Sequence, residues 1–490
     1  MDTLSREQRT GAIAPSEGSP SPTPFRLLVA GIWIAAAACS GGGGDGPVGA
    51  EPAGGFTKAD TAVDSAGGRM DFANSEVVFA DATLDPSGRS TAIWIDGVPS
   101  GGAVMTSDRD PGGDWSTPKR IATALGTANT GPLSLAKDSS GNAVAVWGAV
   151  DGLLGRTVVL SARRPVGGEW SEVQRISGEW PASAPVCALA DDGEVLAAWR
   201  EETTPSQSNS TPIVTVRTGR DGAWDAALAL GAGELAPEGS LGMASDGTGF
   251  LLWDADAGGF TVERLSGGQR VSAPVASGVS EITEVSLAVG SDGSALLATD
   301  TLVGPGSHAI QVQRYAPGSG WSTPEVLQLI SAREAAYYIR AKLMPQGRAV
   351  VCWAALASGT GSSSQVLVEA AIDRGNGFAT PAAITTWNVD PGQLPWSRLS
   401  IGADEDGAIT LVWGEGTVYS ASLFVTRLDW NAANWLPLEA VASSASLLFP
   451  LEDVRVSCGL GTAVLLWVER TAASGSLRSS DLHFRMLPQP

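Results

Sequence analysis

One hydrophobic pattern recurs along the chain: a glycine, a run of apolar and small residues, and a tryptophan six positions after the glycine. It reads GRSTAIW at Gly88–Trp94, GNAVAVW at Gly141–Trp147, GEVLAAW at Gly193–Trp199 and GTGFLLW at Gly247–Trp253. It returns as GRAVVCW at Gly347–Trp353, GAITLVW at Gly407–Trp413 and GTAVLLW at Gly461–Trp467, while GSALLAT at Gly293–Thr299 lacks the tryptophan. Successive copies lie 53, 52, 54, 46, 54, 60 and 54 residues apart. A second mark follows most copies, an aromatic after a small turn: Trp115, Trp170, Trp224, Trp321, Phe378 and Trp435.

Within a unit the apolar runs are short. The second copy holds LSLAK, AVAVW, TVVLSARR and WSEVQRI, separated by DSSG, AVDGLLG and PVGG. Such runs, bounded by Gly, Asp, Ser and Pro, predict strands and turns, and no helical period is sustained after the N-terminal segment. Four strands in a unit of this length mark a β-propeller blade. The expected fold is therefore all-β: an eight-bladed β-propeller of four-stranded antiparallel blades. The last copy stops at LHFRMLPQP after its third strand, while GGFTKADTAV at Gly54–Val63 resembles a fourth strand, with Phe56 in the aromatic position. The N-terminal strand is expected to complete the last blade and close the ring, which removes exposed sheet edges. Each repeated Trp is expected to wedge between neighbouring blades, and each Gly to supply the positive-φ position of a hairpin turn.

The N-terminus reads as an address. LLVAGIWIAAAA at Leu27–Ala38 is too short to span a bilayer, and fits the apolar region of a signal peptide, with Arg26, Arg9 and Arg6 before it,. Cys39 and the Gly-rich SGGGGDGPVGAEPAGG follow, a flexible tether,. Gly41, Gly43 and Gly46 satisfy G-x-G-x-x-G, but no strand precedes them and no helix follows, so the dinucleotide reading is set aside,. The expected organisation is a signal peptide over 1–38, a tether over 39–55 and one propeller over 56–490.

Composition narrows the function. Lys+Arg 31 against Asp+Glu 52 give a net charge of −21, the opposite of what phosphate-backbone binding needs, so nucleic acid is not expected. With His 2, a His-rich metal site is not expected either, and neither metal nor cofactor is called for. No G-x-S-x-G elbow, Walker loop, H-E-x-x-H or C-x-x-C occurs. His308 and His483 lie in third strands of different units and read as surface or core residues, while Cys187, Cys352 and Cys458 read as buried free thiols far apart in a ring,. Acidic residues recur after the unit Trp: Asp96, Asp151, Glu201, Glu202, Asp254, Asp256, Glu415 and Glu469. They could serve glycoside hydrolysis or bind calcium; the plainer reading is solvated loop charge.

Aromatic residues supply the strongest site signal. The connection between the fifth and sixth units carries Tyr337 and Tyr338, with Arg340 after them. The next connection carries Trp387 and Trp396, with Arg398 after them, and Tyr419 lies in a second-to-third-strand loop of the seventh unit. In a propeller these loops emerge on one face, so these residues could form one ligand-binding sector, suited to sugar rings or a protein hot spot. The competing reading is that they pack the longer loops onto the blades.

The small residues Ala36–Ala38 before Cys39 resemble a bacterial lipobox, and the repeat resembles that of bacterial propeller-repeat lipoproteins whose units read D-x-x-G-x-A-x-x-x-W followed by G-x-W, over residues 56 to 490. The resemblance implies that Cys39 is lipidated and becomes the first mature residue; ordinary secretory cleavage nearby is the alternative. Ser40 after it implies the outer membrane. The sialidase Asp-box does not match. What the sequence supports is a monomeric, lipid-anchored envelope propeller that binds a glycan or an envelope protein, with a propeller-type glycoside hydrolase or lyase as the alternative.

Overall fold

In the computed structural model, residues Phe56–Pro490 form one compact unit. The structure describes 60–61, 76–97, 102–124, 133–153, 155–203, 212–236, 241–255, 259–267, 269–271, 275–276, 282–304, 307–330, 336–358, 364–389, 399–404, 407–417, 420–430, 434–444, 451–459, 462–472 and 478–488. The expectations for the leader, Cys39, the tether, Phe56, Asp256, Trp396, Arg398 and Tyr419 fall outside them. Among the described residues the chain is all-β, with a single 3-10 turn at Pro345–Gly347.

Every repeat folds as an antiparallel sheet in chain order. The second repeat runs Leu133–Lys137, Ala143–Asp151, Arg156–Arg164 and Gln174–Arg175. Burial follows the sequence pattern. The second strand is apolar on both faces and buried through Ala149, as a strand covered on two sides must be,, whereas the outermost strand is polar and exposed. Hydrogen bonding joins the strands into seven sheets, because the third and fourth repeats merge into one of ten strands. The cause is Leu228–Leu235: its first half pairs within the third repeat and Gly233–Leu235 pair with Trp253–Ala255 of the fourth. A side chain at Gly233 would strike the Asp254 carbonyl and the Trp253 ring, so only glycine fits that crossing,.

The turn from first to second strand is built by aspartate and glycine together. Asp138 Oδ1 accepts from Ser140 N at 3.0 Å and Asn142 N at 2.8 Å, and Gly141 takes φ 91° where a Cβ would come within 3.1 Å of Asp85 Oδ2,.

Successive repeats are held face to face. Trp147 packs on Ile93 and Val104 of the repeat before it, Trp199 on Val144 and Val146, Trp413 on Val350 and Cys352, and Trp467 on Val412 and Val425. The expected wedge role of the repeated Trp is thus what the structure contains. In the fifth repeat, where Thr299 stands in place of Trp, the interface with the fourth is filled by Phe250, Tyr315 and Trp321, whose ring centroids lie 5.1 to 6.5 Å apart. Innermost strands are also stitched to one another. Asp81 Oδ2 accepts from Leu135 N, Ser134 Oγ from Cys187 N, Ser286 Oγ from Ala341 N and Ser400 Oγ from Val456 N, at 2.9 to 3.2 Å.

The first and last described strands meet. Asp60 and Thr61 pair antiparallel with Phe484 and His483 on the strand Arg478–Pro488, adding a fourth strand to the last repeat. Ala82, Trp94 and Trp115 of the first repeat share one apolar cluster with Val464, Leu466 and Phe484 of the last, and Leu84 N donates to Ser457 Oγ at 3.1 Å.

Candidate functional site

Alternation along each antiparallel sheet puts the second-to-third-strand turns and the connections between repeats at one end of the strands. The first-to-second-strand turns lie at the other. The acidic residues singled out after the unit Trp belong to the first end, but Asp96, Asp151, Glu201, Asp254, Glu415 and Glu469 sit on strands rather than in free loops, and Glu202 directly follows one. Two of them serve the tryptophan itself. Trp199 Nε1 donates to Glu201 Oε2 at 3.2 Å and Trp413 Nε1 to Glu415 Oε1 at 2.9 Å, because residues two apart on a strand share a face. In the sixth repeat Glu369 takes the same part from the neighbouring strand, accepting from Trp353 Nε1 at 3.1 Å. Burial pushes the Glu415 carboxyl above its ordinary range, against the opposing hydrogen bond from Trp413. Asp96 is likewise raised by burial, opposed by Arg120. Glu202 pairs with Arg200 at 3.0 Å, and Asp254 sits opposite Glu234 in the strand register. Only the backbone of Glu469 is described, on the strand Thr462–Ala472.

The expected aromatic sector is placed differently from its loop assignment. Tyr337, Tyr338 and Arg340 lie on the innermost strand Ala336–Leu343, whose register shifts between Tyr337 and Arg340, and Tyr338 takes φ 55° in that bulge,. Trp387 lies on the outer strand Ala382–Val389, opposite Val366. Tyr338 and Trp387 are both half-buried and pack on the same apolar cluster around Trp413. The loop placement is corrected because both segments have edges to pair with. Arg340 Nη1 donates to Ile339 O at 2.9 Å. The side chain of Tyr337 is outside the described residues, as are Trp396, Arg398 and Tyr419.

The structure brings forward a sector that the sequence reading passed over, between the second and third repeats. Trp180, in the connection SGEWP, is 39% exposed, and Leu153, at the tip of the second-to-third-strand turn, is 99% exposed. A frame of polar contacts fixes them. Asp151 accepts from Leu153 N at 2.9 Å and pairs with Arg175 at 3.5 Å. Arg175 donates to Gly178 O, Gly178 N donates to Glu201 Oε1 at 3.1 Å, and Glu202 N donates to Pro181 O at 2.8 Å. The same rule that singled out Trp387, an aromatic in a connection between repeats, applies to Trp180; Pro181 after it holds that residue extended,.

His308 is also better placed than its sequence suggested. Its Nδ1 lies 3.1 Å from Asp300 Oδ2, which Thr283 Oγ1 also approaches at 2.6 Å. Burial holds the Asp300 carboxyl above its ordinary range, against Thr283 and His308. At the opposite end of the strands, a cavity of about 340 Å³ is lined by first-to-second-strand turns, among them Asp85, Asp138, Asp191, Ser245 and Asp404. Cys187 and Cys352 are buried and Cys458 half-buried, all three as free thiols. No group of three or more His, Cys, Asp or Glu among the described residues is arranged to hold a metal ion.

No protein-family model matches the chain, and no curated protein does. Among solved structures it is similar to a ulvan lyase of a new polysaccharide lyase family bound to a GlcA(1-4)Rha3S chain, at 10% identity and TM-score 0.46, covering 84% of this chain and 93% of that one. A protein of unknown function from Dyadobacter fermentans is 12% identical with TM-score 0.39, covering 73% and 94%. The six-bladed β-propeller fucose lectin of Aleuria aurantia is 12% identical with TM-score 0.32, covering 64% and 96%.

Proposed function

We propose that this chain is an eight-bladed β-propeller, closed by its N-terminal strand and held in the bacterial envelope by a lipid on Cys39, that acts as a binding module for glycan. Closure is supported by the pairing of Asp60 and Thr61 with Phe484 and His483, and by the apolar cluster that first and last repeats share. The apolar segment Leu27–Ala38 ahead of Cys39 supports the anchor; two or more acyl chains hold a protein on a membrane stably where one does not. Release of a Cys39→Ala chain from the membrane fraction tests it.

The binding reading is carried by Trp180: an indole 39% exposed, in a connection whose backbone is held by the Arg175–Asp151 pair and by the bond from Gly178 N to Glu201. An exposed aromatic face suits the C–H face of a sugar ring. The test is a glycan array probed with the full chain and with Trp180→Ala. Binding by wild type that falls at least tenfold in the variant supports the reading. Absence of binding to every glycan sinks it and turns the search to envelope protein partners.

One observation favours an enzymatic reading, a hydrolase or lyase at the same end of the strands. The Asp300–His308 pair has the geometry of an oriented general base, a carboxylate fixing an imidazole within hydrogen-bond distance,. Depolymerisation of an anionic polysaccharide that His308→Ala abolishes would establish it.

A further inference from the structure

The innermost strands carry one residue out of keeping with the rest. Lys342 pairs with Val350, the third residue after the turn glycine. The corresponding place in other repeats holds Ala136, Ala188, Gly242, Ala288 or Gly402, and a hydroxyl residue in the remaining two. Small side chains there let neighbouring strands approach: a Cβ on Gly242 would come within 2.5 Å of Val289, and one on Gly402 within 2.6 Å of Cys458. Lysine cannot be there for close packing.

Lys342 lines a cavity of about 440 Å³ between the innermost strands of the fourth to seventh repeats, with Gly242, Gly290, Ser291, Asp292 and Asp404. Ser291, Val289, Ala403 and Asp404 belong also to the 340 Å³ cavity, so the two adjoin. The chain has four lysines, and two of them lie on innermost strands. Lys137 is ion-paired with Asp85 at 3.0 Å. The ammonium of Lys342, a half-buried residue, has neither a hydrogen bond nor an ion pair among the described residues. Two carboxylates share its cavity and neither pairs with it: Asp404 Oδ1 accepts from Ala408 N at 2.7 Å, and Asp292 Oδ1 from Ser294 N and Oγ. Burial holds the Lys342 ammonium below its ordinary range, and the one group opposing that is Cys458. A desolvated ammonium without a counter-charge is costly, and an anion in the cavity would offset that cost.

We propose that Lys342 anchors an oxyanion-binding site in this cavity, taking a carboxylate, sulfate or phosphate group that enters from the first-to-second-strand turns. The site lies away from Trp180 and does not depend on the glycan reading. In a chain of net charge −21, general attraction cannot account for anion binding, so any that occurs reports a local site.

The test is the melting temperature of the full chain with sodium sulfate, inorganic phosphate, glucuronate or a sulfated oligosaccharide, at an ionic strength fixed with chloride. Two variants accompany it: Lys342→Met, which keeps the stem without the charge, and Lys342→Arg, which keeps the charge. Wild type and the Arg variant should be stabilised, while the Met variant binds at least tenfold more weakly and, without oxyanion, melts no lower than wild type. A response to the inorganic ions identifies a free-anion site; a response to the saccharides alone identifies a charged group on a larger ligand. Wild type unresponsive to all four, a Met variant with the full response, or a Met variant melting well below wild type without oxyanion would each overturn the proposal.

Discussion

Trp115 and Phe484 stand with ring centroids 4.4 Å apart and planes tilted by 39°. One belongs to the first repeat and the other to the last, and both are buried. Large-to-small changes in such a core cost about 3–5 kcal/mol. Trp115→Ala and Phe484→Ala should each lower the unfolding free energy from denaturant titration by that much, and the double variant by less than the sum, since the two share one contact. Full additivity would mean that the first and last repeats are energetically independent.

The Asp85–Lys137 pair is nearly sealed, with side chains 5% and 1% exposed. Burial raises the Asp85 carboxyl, but the Ser87 hydroxyl and Lys137 outweigh it and leave the group below its ordinary range. Lys137 is also lowered, because burial outweighs its attraction to Asp85. The aspartate thus gains from the pair while the lysine is still penalised, so the pair's net worth is small although breaking it is costly. Asp85→Asn should destabilise by about 3–5 kcal/mol, and Asp85→Leu with Lys137→Met by much less. Because the folded value of Asp85 lies below the unfolded one near 3.9, its contribution is complete above about pH 4 and is lost as pH falls through the folded value. Asp108 adds in the same window: burial raises it, and the bonds from Arg164 and Thr91 bring it below its ordinary range. Unfolding measured from pH 7 down to pH 2 should show stability falling below about pH 4, less steeply in the double variant.

Glu415 has the opposite sign. Its folded carboxyl is raised by burial more than the Trp413 bond lowers it, so its contribution is complete below the unfolded value near 4.3 and is lost as pH rises through the folded one. Glu415→Gln keeps an acceptor for the Trp413 indole without the charge. It should match or exceed wild-type stability at pH 7 and flatten the profile above about pH 4. Glu415→Ala strands the indole N–H and should cost about 1–3 kcal/mol. A Gln variant as unstable as the Ala variant would count against this account.

The repeat was legible because its signals are local: a positive-φ glycine, a twice-buried strand and a Trp that must meet the previous repeat all leave marks within seven residues. The pairing of Asp60 and Thr61 with Phe484 and His483 was legible for another reason, since a missing strand at one end and a spare one at the other admit one economical pairing. The site was less legible because aromatic side chains look alike in sequence whether they face solvent or core. Trp387 and Trp180 both lie between repeats, yet Trp387 sits on a paired outer strand and packs on the Trp413 cluster, while Trp180 stays on an unpaired, exposed turn. The carboxylates after each Trp were ambiguous for a similar reason. Whether Glu201 and Glu415 face solvent or an indole depends on strand pleat, which fixes that residues two apart share a face but not what lies there. Lys342 and the Asp300–His308 pair rest on register between strands, which no single segment records.

Thiol chemistry separates the anchored chain from an unprocessed one. Burial pushes Cys187 and Cys458 up to about 12, the first against a bond with Ser134 and the second against one with Thr410. Cys352 is raised further by burial alone. The thiolate is the reactive form, so at pH 8 these three should resist a disulfide reagent while the fold is intact. The chain has Cys 4, and the fourth is Cys39, which an acyl-glyceryl thioether would block. The protein made with its own leader should therefore titrate no thiol when native and three when unfolded. One fast thiol in the native protein and four in the unfolded one would mean that Cys39 is present and unmodified, and the anchor would fall with it. Reaction of Cys187 or Cys352 before unfolding would contradict their burial.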